Sequence, residues 1–203
     1  MMFVEQFVMA YQVDQDRIRA LLPEEYESLR PVLRINAEIR RSEEEETLYL
    51  EFNTPVAAFG KRGWLNIANW ESTVDESFFY EREGTCVSFK TPFLEIAYTG
   101  TGFRGGCPAE QDNDGCFFLN AERNFRPKES IDANKEFCDS SFVWKFAEGN
   151  ASGVSVDEKT KHVVRMEPQT AYRKQELSAE TAAAIPCEQI LGAYVVRFER
   201  TVE

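Results

Sequence analysis

Leu33-Arg34-Ile35-Asn36-Ala37-Glu38-Ile39-Arg40 decides how this chain is read. Apolar and polar residues alternate without a break, so Leu33, Ile35, Ala37 and Ile39 point one way. Arg34, Asn36, Glu38 and Arg40 point the other. That period of two is a strand, and the surrounding sequence repeats it. On the N-terminal side, residues 3–13 alternate with Phe7, Met9, Tyr11 and Val13 on one face. Asp14 then caps a short helix, Gln15 to Leu22, which ends against Pro23. On the C-terminal side, Ser42-Glu43-Glu44-Glu45-Glu46 reads as a charged hairpin connection, and Leu48, Leu50 and Phe52 begin the returning strand. Gly60-Lys61-Arg62-Gly63 is a second turn, leading into the strand Trp64 to Trp70.

Further strands are expected over 85–98, 116–120, 142–146, 162–167 and 189–200. Helices are expected over 130–137 and 178–185, the latter with a Ser178 cap and a stop at Pro186. Many short strands with few short helices predict an α+β, mostly antiparallel architecture, either a barrel or a pair of packed sheets. The length of 203 residues fits one domain over 1–203.

Composition narrows the chemistry. There are 35 acidic and 23 basic residues, giving a formal charge of −12 that repels phosphate backbones. No basic patch offsets that field, so nucleic acid is not an expected partner. His162 is the sole histidine, which excludes a zinc site built on several imidazoles, and no metal is expected. Lying between two lysines and a strand, it reads as an ordinary strand-end histidine. No Gly-x-Ser-x-Gly elbow supplies a nucleophile for it. The N-terminus lacks a basic region and Glu5 interrupts its apolar stretch, and no window is long enough to span a bilayer. A cytoplasmic protein with five reduced cysteines and no membrane partner is therefore expected. On that expectation Asn150-Ala151-Ser152 is no glycosylation acceptor.

Three stretches imitate motifs. Gly100-Thr101-Gly102-Phe103-Arg104-Gly105 spells a dinucleotide fingerprint, but the chain continues into turn chemistry where that motif needs a helix. It reads as a glycine-rich loop beside a cavity, with Arg104 as its anion donor, or as a long surface turn. Glu110, Asp112 and Asp114 open like a calcium loop, yet its closing position falls on Ala121, which lacks a carboxylate. Lys90, in Val87-Ser88-Phe89-Lys90-Thr91-Pro92-Phe93, and Lys145, in Phe142-Val143-Trp144-Lys145-Phe146, are flanked by apolar groups. A lysine walled in by such groups loses hydration of its ammonium and becomes a nucleophile toward carbonyls. In an alternating strand the same lysine points to water.

Tyr11-Gln12-Val13-Asp14, the short helix with Ile18, Pro23-Glu24, Pro31 and Arg34 stand in an ungapped register that resembles the acetoacetate decarboxylase superfamily. Pro55-Val56 and Gly60-Lys61-Arg62-Gly63-Trp64-Leu65 continue it, where the family shows a Pro-Val pair and a Lys-Gly turn before an aromatic-Leu strand. The resemblance covers roughly the first third of the chain. It implies a β-rich, cone-like barrel around a closed pocket, whose members decarboxylate β-oxo acids or perform aldol and dehydration chemistry through a lysine Schiff base. The family's Tyr-Pro-Lys-Lys run has no counterpart here. Its pocket arginine registers on Val4, one pocket glutamate on Asn36, and the other near Tyr49, two residues before Glu51. The resemblance turns the face of Arg34, Asn36 and Glu38, with Glu51, toward the pocket; an ordinary sheet would leave it solvated.

Two functions follow. In the first, the protein acts on or binds a small oxo acid or related carbonyl compound, without a cofactor. Arg34 or Arg104 would fork the carboxylate, Asn36 and Glu38 would line the site, Glu51 would relay protons and Lys90 would supply the amine. In the second, a non-catalytic barrel holds a small apolar or amphipathic ligand in its aromatic interior. A plain interaction domain has no supporting feature, and a homo-oligomer is left open.

Overall fold

The computed structural model describes residues 1–73, 75–105, 115–119, 125–127, 135–144, 155–157 and 178–201. Lys145, His162, Cys107, Glu110, Asp112, Asp114, Asn150 and the strand expected over 162–167 lie outside them. In chain order the elements are β1 (Met2–Gln12), α1 (Gln15–Leu21), β2 (Glu27–Ser28), β3 (Val32–Arg41), β4 (Glu46–Ala58) and β5 (Lys61–Glu71). There follow β6 (Phe79–Glu83), β7 (Cys86–Lys90), β8 (Leu94–Gly105), β9 (Gly115–Phe118) and β10 (Phe125–Pro127). The last are β11 (Lys135–Trp144), β12 (Ser155–Asp157), α2 (Ala179–Ala183) and β13 (Gln189–Arg200). No helix among the described residues is long and apolar enough to cross a membrane.

The strands form one sheet in the order β10-β9-β5-β4-β3-β1-β13-β11-β8-β7-β6, with β12 on β11 and β2 on β4. The described pairings are antiparallel except β5 with β9. Mostly antiparallel β with short helices is the architecture expected from the alternation.

The sheet folds over on itself because one face of its middle strands is apolar and must be covered. On one face Phe7 of β1 meets Phe89 of β7 and Tyr98 of β8, each at 5.3 Å between ring centroids. Trp70 of β5 meets Phe93 at 5.1 Å, so the β6–β8 end of the sheet folds over β1, β3 and β4. Leu33, Ile35, Ala37 and Ile39 are fully buried in that core. Helix α1 adds Ile18 and Leu21, held at its start by Asp14, whose carboxylate accepts from the Asp16 amide at 2.8 Å. Helix α2 adds Ala179, Ala182 and Ala183 behind the Ser178–Thr181 capping box. Tyr11, Tyr98, Cys138 and Cys187 lie within the core, and burial pushes both thiols up to about 12.

Pro55 sits within β4 without disrupting it. Pairing of β4 with β3 ends at Asn53, and pairing with β2 begins at Val56, so the missing amide falls in the handover.

Several expectations are corrected. The strand over 85–98 is two strands, because Pro92 and Thr91 turn the chain. The Thr91 hydroxyl accepts from the Leu94 amide at 3.0 Å, and the Thr91 amide donates back to the Leu94 carbonyl. Residues 100–105 are not a loop but the end of β8, with Gly102 at φ +73° accommodating an irregular pairing with β11. Lys135, Glu136 and Phe137, expected in a helix, begin β11, with Phe137 opposite Tyr194.

The pairings of β9 with β5 and with β10 depend on two glycines. A Cβ on Gly63 would stand 2.5 Å from the Gly115 carbonyl oxygen, and one on Gly115 would collide with the Arg126 carbonyl oxygen. Gly115→Ala is therefore expected to cost about 1–3 kcal/mol, as overpacking does. Gly192→Ala, where a Cβ meets nothing within 4 Å, is the comparison. Urea midpoints should shift for the first and hold for the second.

Candidate functional site

Opposite the aromatic core, the other face of the sheet lines a cavity of about 550 Å³. Strands β9 and β10 bring Cys116, Phe118 and Arg126 to it, and β11 and β13 bring Lys135, Tyr194 and Arg200. Between them lie β5, β4, β3 and β1 in the sheet order, so residues from both flanks of those strands meet around the polar face.

The even positions of β3 form its floor. Arg34, Asn36 and Glu38 are 8%, 4% and 2% exposed, so this face is buried rather than solvated. The Arg34 guanidinium stacks 4.0 Å over the Trp64 ring. Glu38 accepts from Gln6 Nε2 and from Arg40 Nε, both at 2.7 Å. Arg40 itself lies 3.8 Å over Tyr49. Opposite Asn36 in the register stands Glu51. Its Oε1 accepts from Asn36 Nδ2 at 2.6 Å and from Asn53 Nδ2 at 3.1 Å. Its Oε2 accepts from Asn66 Nδ2 at 2.8 Å and from the Tyr49 hydroxyl at 3.1 Å. Four donors fill the acceptor sites of an ionised carboxylate and fix its plane. Burial, and next the Glu51 charge, raise the Tyr49 phenol well above its ordinary range, so it stays protonated as a donor.

The wall carries the charge. Among the described residues, Arg34, Arg40, Arg126, Lys135 and Arg200 line the cavity against Glu38, Glu51 and Glu71, five cations to three carboxylates. This surplus occurs in a chain whose formal charge is −12. Aromatic rings orient the cations: Lys135 Nζ is 4.4 Å over Tyr194 and Arg126 is 5.1 Å over Phe118. Such a cavity attracts anions and offers planar donors to a carboxylate.

Of the residues singled out in the sequence, Arg34, Asn36, Glu38 and Glu51 meet in this cavity. Lys90 and Arg104 do not. Lys90 ends β7, its Nζ donating to Glu81 Oε2 at 2.5 Å and lying 5.7 Å from the Phe79 ring. That hydrogen bond raises its pKa, the reverse of what a free-amine nucleophile requires. Arg104 is exposed on β8, opposite Glu136 in the register. The sequence reading missed Lys135, Arg126, Cys116 and Tyr49. Tyr49 shares the strand face of Glu51, two residues away, and Arg200 shares the face of Tyr194 and Val196. Lys135 and Arg126 carried no such signal.

No protein-family model matches the chain, and no curated protein matches it. Solved structures do. The enduracididine biosynthesis enzyme MppR, complexed with the condensation product of pyruvate and imidazole 4-carboxaldehyde, superposes with a TM-score of 0.57. It is 10% identical, over 97% of this chain and 84% of that one. Acetoacetate decarboxylase from Legionella pneumophila subsp. pneumophila str. Philadelphia 1 gives 0.52 at 13% identity, over 96% and 80% of the two chains. A further acetoacetate decarboxylase gives 0.52 at 11%, over 97% and 84%. At such identities the likeness is one of fold.

Proposed function

We propose, from the acetoacetate decarboxylase-like fold of this chain, that its cation-rich cavity binds a small oxo acid. The observation that carries this reading is that, among the described residues, five cations against three carboxylates line one cavity of an acidic protein. An apolar ligand would strip water from that positive excess and gain no attraction from it. A carboxylate complements it, and Arg34, with its plane set by Trp64, presents the fork that matches two oxygens. The solved structures of similar fold include one holding a pyruvate-derived product, which supports an oxo acid as the carboxylate's bearer.

Lys135 is the lysine among the described residues of the cavity wall. In this reading its amine adds to the ketone carbon of a bound oxo acid and, with loss of water, forms an imine. The protonated Tyr49 hydroxyl is bonded to the floor carboxylate, and Glu51 holds Tyr49 and three amides in register. Glu51 thus serves as the anchor of a polar floor before it serves as a proton carrier.

The experiment is a titration followed by trapping. Pyruvate and longer 2-oxo acids are titrated by calorimetry against the matching methyl ketones, which lack the carboxylate. Borohydride is then added, and the adduct is mapped by peptide mass. Binding of the acids with no binding of the ketones is expected, with a reduced adduct on Lys135 that Lys135→Met abolishes. No binding of any oxo acid overturns the reading. Binding without an adduct retains the ligand class and removes the imine.

A further inference from the structure

The cations of the cavity are not spread evenly, because Arg34 and Arg126 reach one corner of it from opposite sides. In the register, Trp64 of β5 stands opposite Cys116 of β9, and Asn66 stands opposite Phe118. Phe118 is therefore one strand over and two residues along from Trp64, about 8 Å away in an ordinary sheet. Each ring carries a guanidinium, Arg34 at 4.0 Å from the centre of Trp64 and Arg126 at 5.1 Å from that of Phe118. All four side chains line the cavity. An aromatic face fixes the plane of a guanidinium without accepting its in-plane N–H donors. Depth separates the two cations: Arg34 is buried on the floor, whereas Arg126 is exposed on β10 at the end of the sheet. Among the described residues no carboxylate pairs with Arg126. The acids of the cavity are engaged elsewhere. Glu38 stands four residues along β3 from Arg34 and is bonded to Arg40, and Glu71 shares its row across Tyr49. Glu51 is filled by its four donors. Volume points the same way. A three-carbon acid takes the space of only a few waters, each about 30 Å³, and leaves most of a 550 Å³ cavity unfilled.

We propose that this corner selects dicarboxylates, with one carboxylate forked by Arg34 on the floor and the second by Arg126 at the rim. The inference deepens the oxo-acid reading and rests on it for the ketone, so that the ligand is an oxo diacid. The paired guanidiniums themselves recognise two carboxylates whether or not a ketone lies between them. A forked carboxylate stands one hydrogen-bond length from its guanidinium, so a diacid of about four to six carbons bridges a gap of about 8 Å. A longer chain must fold to keep both forks. A monoacid of the same chain length brings a methyl group to Arg126, which strips water from the guanidinium and returns no hydrogen bond. Arg126 thereby sets specificity, while Arg34 holds the carboxylate common to both ligands.

Calorimetry on the intact protein tests this with two matched pairs. One is 2-oxoglutarate against 2-oxopentanoate, which carries a methyl group in place of the distal carboxylate. The other is glutarate against pentanoate, which lack the ketone. In each pair the diacid is expected to bind about ten-fold or more tightly. Arg126→Gln, a change at an exposed side chain, should bring both ratios to within about two-fold of unity. The series succinate, glutarate, adipate and suberate holds charge constant while the spacing grows, and affinity should peak at glutarate or adipate. Equal Kd values within the pairs, a flat series, or an Arg126→Gln protein that weakens monoacid and diacid by one common factor overturns the proposal. In those cases binding of 2-oxopentanoate leaves the oxo-acid reading standing. Preference for glutarate over pentanoate, with no binding of either oxo acid, upholds the guanidinium pair and overturns the oxo-acid reading. Binding of none of these acids overturns both.

Discussion

Glu51→Gln is expected to lower the free energy of unfolding by about 2–4 kcal/mol, although it changes one atom. Each Glu51 oxygen accepts two hydrogen bonds, and the four donors come from β3, β4 and β5. A glutamine presents one oxygen and one NH₂, so two of the donors would face an N–H. Asn36, Asn53 and Asn66 are 4%, 1% and 8% exposed, so water reaches them poorly once the carboxylate is gone. A buried donor left without its partner costs about 1–3 kcal/mol. Rotation of Tyr49 toward the cavity relieves part of that, which sets the range. Urea denaturation should show the lower midpoint at an unchanged slope. Glu71→Gln is the control: it removes a carboxylate from the same cavity, one that accepts from the exposed Thr73 hydroxyl at 3.4 Å. It should shift stability by no more than about 0.5 kcal/mol. The Tyr49 phenol offers an independent readout. The Glu51 charge is the second cause of its raised pKa after burial, so Glu51→Gln should let it ionise at lower pH. An unchanged stability together with an unchanged phenol titration would mean that the carboxylate does not organise the floor.

What the sequence made legible was local. The alternation over Leu33–Arg40 gave β3 and the sidedness of its residues, because a period of two needs no knowledge of neighbours. It could not say what covered the polar side. Arg34 lies under Trp64 of β5, Asn36 is bonded to Glu51 of β4, and Glu38 is held by Gln6 of β1 and by Arg40. The contact of β5 with β9 joins Trp64 to Cys116 across some fifty residues of chain, beyond the reach of any periodicity. Lys135 was hidden for the same reason. Ser130 and the polar residues after it suit a helix start, but Phe137 takes a place opposite Tyr194, and pairing overrides the local preference. Gly100–Gly105 failed in the opposite sense. Its glycines suggested a loop, yet the Thr101 hydroxyl donates to the Phe137 carbonyl at 2.8 Å and keeps that segment on β11. The resemblance in the first third of the chain reached the right fold through Arg34 on β3, Pro55 on β4, and Gly60–Gly63, where the β4–β5 turn passes into β5.

That floor makes Arg34 the side chain on which ligand affinity should turn. Arg34→Met is expected to raise the Kd for a 2-oxo acid by about 10–150-fold, the loss of a charge-assisted pair worth about 1.5–3 kcal/mol. Methionine keeps an unbranched chain against Trp64, so the packing that buries residue 34 is largely conserved and the thermal midpoint should fall only slightly. Arg34→Lys separates charge from shape. An ammonium restores attraction to the carboxylate but neither the two parallel donors nor the planar stack at 4.0 Å. Its Kd should therefore fall between those of the parent and Arg34→Met, with the smallest recovery for the shortest acids, which have least else to hold them. Arg104→Met and Lys90→Met supply the reference, since the first is exposed on β8 and the second is bonded to Glu81. Both should leave the Kd within about two-fold, as surface changes far from a ligand do. If Arg104→Met weakens binding as much as Arg34→Met, affinity is a matter of overall charge, and the forked recognition assigned to the β3 floor is wrong.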